Sequence, residues 1–403
     1  MLKKIPTSQV RLGMFIQALD GPWLSHPFWK TKFLLGDASD LEALLRSQVP
    51  AVWIDASKGV DVVAAPQGSP VAAPAPVSAA AVPPPVASVR VPAGAEMEKA
   101  AALVNRSRQQ VMNLFGEARL GKAVDAEQCL PLVEEVASSV ARNPSALISL
   151  ARLKTKDDYT YLHSVAVCAL MVSLSRQLGL DEAQTREAGL AGLLHDVGKM
   201  MMPLEVLNKP GQLTDDEFTV MRTHPMRGFE ALQDGSAVPA SALEVCLHHH
   251  EKMDGSGYPH KQAGEQISLL ARMGAVCDVY DAITSNRPYK NAWDAAGSLQ
   301  RMAQWNGHFD PRIFQAFVKC VGIYPVGTLV KLHSGRLAVV VDQHASNLVA
   351  PTVKVFYSTK SQMPIPVELL DLTRSTDRIV GREAPGDWGF KNLDEFWTQA
   401  DKH

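Results

Sequence analysis

From residue 96 to 322, apolar residues recur at three- and four-residue spacing, the pattern of helices that each bury one face. Thr214 and Glu217 have the spacing of a capping box and predict a helix through Phe218 and Met221 toward Phe229. Asp181 and Gln184 do the same ahead of a helix through Leu190 and Leu193, and residues 269–284 read as another. After Tyr324-Pro325 the pattern changes. Residues 328–332 and 337–341 flank His333-Ser334-Gly335-Arg336 as a β-hairpin, and 352–357 add a third strand. At the other end, 52–54 and 60–63 are short β-like runs around Lys58-Gly59, and 40–47 read as a helix with Asp40 near its start. Residues 64–95 are nearly all Ala, Pro, Val, Ser and Gly, a composition that packs no core and predicts an extended spacer.

The expected organisation is therefore a small α+β N-terminal module (1–63), a linker (64–95), an all-helical domain (96–324) and a small β-rich C-terminal tail (325–403), mainly α overall. A length of 403 residues agrees with more than one folded unit. Forty basic against forty-two acidic residues leave no global field for a nucleic acid polymer or an anionic membrane, so a polyanionic ligand must meet a local cluster. Five scattered cysteines without a C-x-x-C pair exclude a disulfide framework and a zinc ribbon and fit a reducing compartment. No run of about 20 apolar residues predicts membrane insertion, and the polar start lacks the apolar core of a signal peptide. A cytoplasmic protein is expected.

Half of the twelve histidines fall between His163 and His250, in company with acids. His195-Asp196-Val197-Gly198-Lys199 closes an apolar helix. Adjacent residues on a regular helix diverge by about 100°, so His195 and Asp196 converge best at a helix end, which Gly198 supplies. A carboxylate there can bridge two cations, and Lys199 adds a charge for phosphate. His163, His224, the run His248-His249-His250-Glu251, and Asp278 offer further ligands. Mixed imidazole and carboxylate donors suit Fe, Mn, Zn or Ni rather than Mg or Ca. Each histidine alone would be an ordinary core or surface residue; their order and context change that.

The ordered set Tyr159-Thr160-Tyr161-Leu162-His163, His195-Asp196-Val197-Gly198-Lys199, His224-Pro225, His249-His250-Glu251, Asp254-Gly255-Ser256-Gly257-Tyr258-Pro259, Asp278-Val279-Tyr280-Asp281 and Arg287-Pro288-Tyr289 resembles the HD-GYP domains of the HD phosphohydrolase superfamily. The resemblance implies an HD-type helical bundle and a cyclic di-GMP phosphodiesterase, yielding linear pGpG, GMP or both. It implies two divalent ions, Fe or Mn. One would be held by His163, His195, Asp196 and Asp278; the other by Asp196 with His224, His249 and His250, His248 lying just outside. A bridging hydroxide would be the nucleophile, with Asp196 and Lys199 as the catalytic pair. Lys199, Arg287, Lys290 and Tyr258 would contact substrate, and Asp281 and Glu251 would support the ligands. Some members hold a third ion through a glutamate where this chain has Tyr159, a poor ligand, so two are expected unless Asp281 or Asp158 substitutes. The segments Leu12-Gly13-Met14-Phe15-Ile16, Trp23 with His26-Pro27-Phe28, and Val52-Trp53-Ile54-Asp55 resemble the small domain of unknown function that often precedes HD-GYP domains. That module or the Tyr258 loop is the expected surface for protein partners. The competing readings are an HD-type hydrolase of another nucleotide and a non-catalytic cyclic di-GMP receptor.

Overall fold

The computed structural model describes residues 2–19, 33–46, 49, 51–60, 90–153, 159–285, 293–344 and 346–398. The chain divides into two compact units, Met1–Pro85 and Val86–His403. In the first, β1 (Leu2–Pro6), β2 (Phe15–Leu19), β3 (Phe33–Leu34), α1 (Ala38–Arg46) and β4 (Ala51–Asp55) form an antiparallel sheet of order β1-β4-β2-β3 with one helix. Alternation in β4 buries Val52 and Ile54 against Ile5, Met14, Ile16 and Leu44 while Trp53 faces out. Asp40 stands in the first turn of α1. Val60 is fixed to the β2 entry by a bond from its N–H to the Gly13 carbonyl at 2.7 Å. Residues 61–63, most of the expected linker, and Trp23, His26, Pro27 and Phe28 lie outside the described residues.

The second unit begins with α2 (Ala93–Arg119), α3 (Leu130–Arg142), α4 (Pro144–Arg152), α5 (Tyr159–Gln177), α6 (Glu182–Leu194), α7 (Leu204–Leu207), α8 (Asp215–Met221), α9 (His224–Gln233), α10 (Ala240–His248), α11 (Leu269–Thr284), α12 (Ala295–Met302) and α13 (Pro311–Val321). It continues with β5 (Leu329–Leu332), β6 (Arg336–Asp342), β7 (Thr352–Ser358), β8 (Met363–Asp371), β9 (Ile379–Arg382) and α14 (Glu395–Thr398). Helix α5 is the axis of the bundle: it packs against α2, α3, α4, α6, α11 and α13, and its residues from Val165 to Val172 are buried all round. That explains why it lacks the polar stripe of a surface helix.

The sheet, of order β8-β7-β6-β5-β9, is wholly antiparallel. Leu329, Leu337, Val339 and Phe356 join the helical core, while Val330, Leu332, Ala338, Val340, Val353 and Val355 build a second small core. One set of sheet residues thus shares the helical interior while the other builds its own.

Two local readings change. The helix begun by the Thr214–Glu217 box stops at Met221, and α9 starts afresh at His224. Pro225 has no N–H to give to Met221, so the first helix cannot run on toward Phe229. Gly198 is not a left-handed cap. A Cβ there would lie 1.9 Å from the His224 carbonyl oxygen and 2.5 Å from the Gly228 nitrogen, so glycine is required for the close approach of α9 to the turn after α6.

Candidate metal centre

Helix packing at small residues brings the polar groups together. Added Cβ atoms at Gly189 and Gly192 would come within 2.8 Å of Val172 and 3.0 Å of Met171, so α6 lies tightly along α5 and the His163 and His195 rings meet at 5.1 Å. Helix α6 ends at Leu194; His195 occupies its C-cap and Asp196 opens the 3-10 turn Val197–Met201, which is the divergence from helical geometry that the pair needs. The Gly198–Gly228 approach seats His224 beside them. The end of α10 delivers His249 and His250, and α11 delivers Asp278 and Asp281.

Two groups of donor atoms result, each within 4.8 Å of one another: His163, His195, Asp196 and Asp278, and His224, His249 and His250. Asp196 faces both. Its Oδ2 lies 3.4 Å from His163 Nε2 and 3.3 Å from His195 Nε2; its Oδ1 lies 3.3 Å from His224 Nε2 and 3.7 Å from His249 Nε2. Asp278 also reaches across, with Oδ1 at 3.0 Å from His163 Nε2 and Oδ2 at 3.8 Å from His250 Nδ1.

Four imidazoles are tethered by their outer nitrogens. His195 Nδ1 donates to the Gly192 carbonyl at 2.8 Å, His224 Nδ1 to the Met221 carbonyl at 2.8 Å, and His249 Nδ1 to the Val245 and Cys246 carbonyls at 3.0 Å. His163 Nδ1 donates to Asp281 Oδ2 at 2.6 Å. A carbonyl can only accept, so the proton sits on Nδ1 and the Nε2 lone pair is aimed inward, the arrangement in which imidazole binds a cation.

Buried His195 Nε2 and Asp196 Oδ1 have no hydrogen-bond partner among the described residues. A lone pair and a carboxylate oxygen left so would cost on the order of 1–3 kcal/mol each or more. A divalent cation supplies the partner that both lack.

The titration behaviour agrees. Burial alone would raise the Asp196 carboxyl, yet Lys199, the neighbouring histidines and their hydrogen bonds hold it well below the usual carboxylate range. Against the same burial, His163 first, then His250 and His195, do this for Asp278. Burial and neighbouring imidazoles push His249 down to about 3 and His250 lower than usual as well, so both are neutral, as ligands must be. His163 is the exception: burial opposes its charge, but hydrogen bonds to Asp196, Asp278 and Asp281 hold its imidazolium to about 9, so a cation bound there must displace its Nε2 proton.

The remaining expected residues fall as follows. Lys199 Nζ pairs with Asp196 Oδ2 and stays partly exposed. Tyr258 stacks on His250 with ring centroids 4.7 Å apart, and burial raises its phenol above the ordinary range. Glu251 is buried and its Oε1 accepts the His260 N–H at 2.7 Å, closing the loop that carries Tyr258. Gly257 in that loop has no room for a side chain, since a Cβ would lie 2.5 Å from Glu251 Cα. His248 points away from the cluster, its nitrogens engaged by Glu244 and His260 at 3.1 Å. Arg287, Lys290 and Asp158 lie outside the described residues, and of Tyr159 only its place at the start of α5 is described. Arg222, not singled out from sequence, holds its guanidinium 4.6 Å from the Tyr258 ring; its place two residues before His224 was the available signal.

Residues 2–129 match the family described as a domain of unknown function, DUF3391, and residues 134–313 match the HD domain. The chain is 57% identical over 401 residues to the cyclic di-GMP phosphodiesterase PA4108 of Pseudomonas aeruginosa, covering 99% of this chain and 96% of that one. It is 45% identical over 149 residues to the cyclic di-GMP phosphodiesterase response regulator RpfG of Xanthomonas campestris pv. campestris, covering 36% and 39%. It is 35% identical over 162 residues to the 3'3'-cGAMP-specific phosphodiesterase 2 of Vibrio cholerae, covering 40% and 31%. No helix among the described residues is long and apolar enough to cross a membrane. With near full-length identity to one such enzyme and an HD domain around a buried His/Asp cluster suited to divalent metal, the chain belongs to the HD-GYP family of HD phosphohydrolases, with a DUF3391 domain before it.

Proposed function

We propose that the chain hydrolyses cyclic di-GMP to linear pGpG, GMP or both as a metal-dependent phosphodiesterase. The observation that carries this is Asp196: one buried carboxylate turns its two oxygens toward two separate groups of imidazole nitrogens in a chain 57% identical throughout to a cyclic di-GMP phosphodiesterase. His163, His195, Asp196 and Asp278 would hold one ion and Asp196, His224, His249 and His250 a second, Fe or Mn by the donor set. Bound there, divalent ions supply Lewis acidity, neutralising phosphate charge and making hydroxide available near neutral pH.

The residues do the rest. Asp196 and Asp278, kept anionic, balance the cations, and the Nδ1 tethers fix four of the five imidazoles before substrate arrives, so little reorganisation is left for the reaction. Lys199, paired through part of its ammonium with Asp196, has further N–H donors for a phosphoryl oxygen. Tyr258 forms a wall against His250, and Arg287 and Lys290 would grip the ligand's other phosphate. The test is product analysis after incubation with cyclic di-GMP under Mn or anaerobic Fe(II). Appearance of pGpG or GMP supports the reading. Binding with full metal content but no product would establish the receptor instead.

A further inference from the structure

Most well-placed arginines of the second unit are spent on carboxylates: Arg142 on Glu96, Arg272 on Asp310, Arg227 on Glu230. Arg222 differs. It is exposed, and its guanidinium has no ion-pair or hydrogen-bond partner among the described residues. It is nevertheless held in place, 4.6 Å from the centroid of Tyr258 and 5.9 Å from that of Phe218. Its backbone is fixed as well, the N–H donating to the Phe218 carbonyl at 2.9 Å in the last turn of α8. Tyr258 meanwhile stacks on His250 at 4.7 Å. The Tyr258 ring is therefore in contact with both His250 and Arg222. The guanidinium is thus held beside two aromatic rings, one of them in contact with the ligand His250, while its N–H donors remain unspent.

A planar cation held against aromatic rings, with its N–H donors free, matches an acceptor pair in one plane. In the proposed substrate that pair is the O6 and N7 edge of guanine, which accepts both bonds of an arginine fork; adenine presents an amino donor in place of O6 and meets one of those N–H groups donor to donor. We infer that Arg222 is a specificity-determining residue that selects guanine, donating to O6 and N7 of one base of the cyclic dinucleotide while a phosphate lies at the ligand cluster. The inference rests on the phosphodiesterase reading. A lysine at this position would keep the charge but not the fork.

The test compares kcat/KM for cyclic di-GMP and cyclic di-AMP in the Mn-loaded full chain, in Arg222→Ala and in Arg222→Lys, with metal content measured for each. The wild-type chain is expected to prefer the guanine substrate. Both variants are expected to keep full metal and to lower the guanine-to-adenine ratio by about 10- to 100-fold, the value of one bidentate base contact. A wild-type ratio near one, an unchanged ratio in the variants, recovery of the ratio by Arg222→Lys, equal loss on both substrates, or metal loss in both variants would each overturn the inference. A wild-type chain that turns over neither dinucleotide would sink the phosphodiesterase reading and this inference with it; an active wild-type chain with an unshifted ratio in the variants sinks only the inference.

Discussion

The two halves of the ligand cluster are built from unequal materials. One half, His163, His195, Asp196 and Asp278, contains two buried carboxylates and an imidazole tethered to a third, Asp281. The other, His224, His249 and His250, has no carboxylate of its own and takes negative charge across the gap from Asp196 and, through His250, from Asp278. Cation binding in a buried site depends on opposite charge nearby far more than it does in water. The histidine half should therefore be the weaker site and the half more easily emptied.

Asp196 is the point where this difference can be abolished. Asp196→Asn keeps the shape and removes the charge that both halves use. We expect metal content near zero and turnover lower by about 10³-fold or more, the scale of losing metal-assisted catalysis. Metal analysis and initial rates check both, and far-ultraviolet circular dichroism should show the helices retained. A variant that held metal in one half would show that Asp196 does not join them.

His224→Ala comes next and should separate the halves. It removes one of three imidazoles from the side without its own carboxylate, and its Nδ1 bond to the Met221 carbonyl anchors only the start of α9. The expected result is about half the wild-type metal content, retained by the acidic half, with turnover lost, since the proposed reaction uses both ions. His163→Ala should instead empty the acidic half. Equal and complete loss from either variant would mean that the two groups bind as one unit.

Much of this centre was legible in the sequence because its signals are local. His195-Asp196 needed only a helix end, and Asp281, a turn away from Asp278, needed only helical spacing to lie on the same face. The Asp181 and Thr214 capping boxes form as written, with Gln184 N–H to Asp181 at 2.8 Å and Glu217 N–H to Thr214 at 3.3 Å. What was not legible depends on segments meeting. The His163 tether exists because α5 meets α11, and Gly198 was read as a cap when its need for space comes from α9, far along the chain. Arg222 meets Tyr258 only after folding. Strand β8 was missed for a different reason: Pro364 and Pro366 argue against a central strand, and the structure places β8 at the sheet edge, where prolines are tolerated.

Asp281→Asn probes the acidic half more gently. The carboxylate fixes the proton of His163 on Nδ1; an amide can offer either its oxygen or its NH₂ and no longer enforces that choice. Loss of such an orienting partner costs about 10- to 100-fold in metal affinity. The effect should appear as a higher Mn concentration for half-maximal activity, with saturated turnover reduced less. An unchanged Mn requirement would show that His163 is oriented without Asp281.

The smallest effect tests the same asymmetry through protons in the metal-free chain. His249 is held down to about 3 by burial and its neighbours, so between that value and the ordinary histidine value near 6.5 the unfolded chain takes up a proton that the folded chain refuses. Stability from this half is complete above about 6.5 and is lost as pH falls toward 3. His163 is held up to about 9, so between 6.5 and 9 the folded chain keeps a proton that the unfolded chain gives up. Its contribution is complete below 6.5 and is lost as pH rises through 9. The two halves thus weaken the fold from opposite sides, and thermal unfolding of the chelator-treated protein should be hardest near pH 6.5. Asp281→Asn should lower the alkaline limb and leave the acid limb in place, because Asp281 bonds to the His163 ring and is not among the groups that set His249. A profile whose acid limb moved with Asp281→Asn would show that the two halves titrate as one.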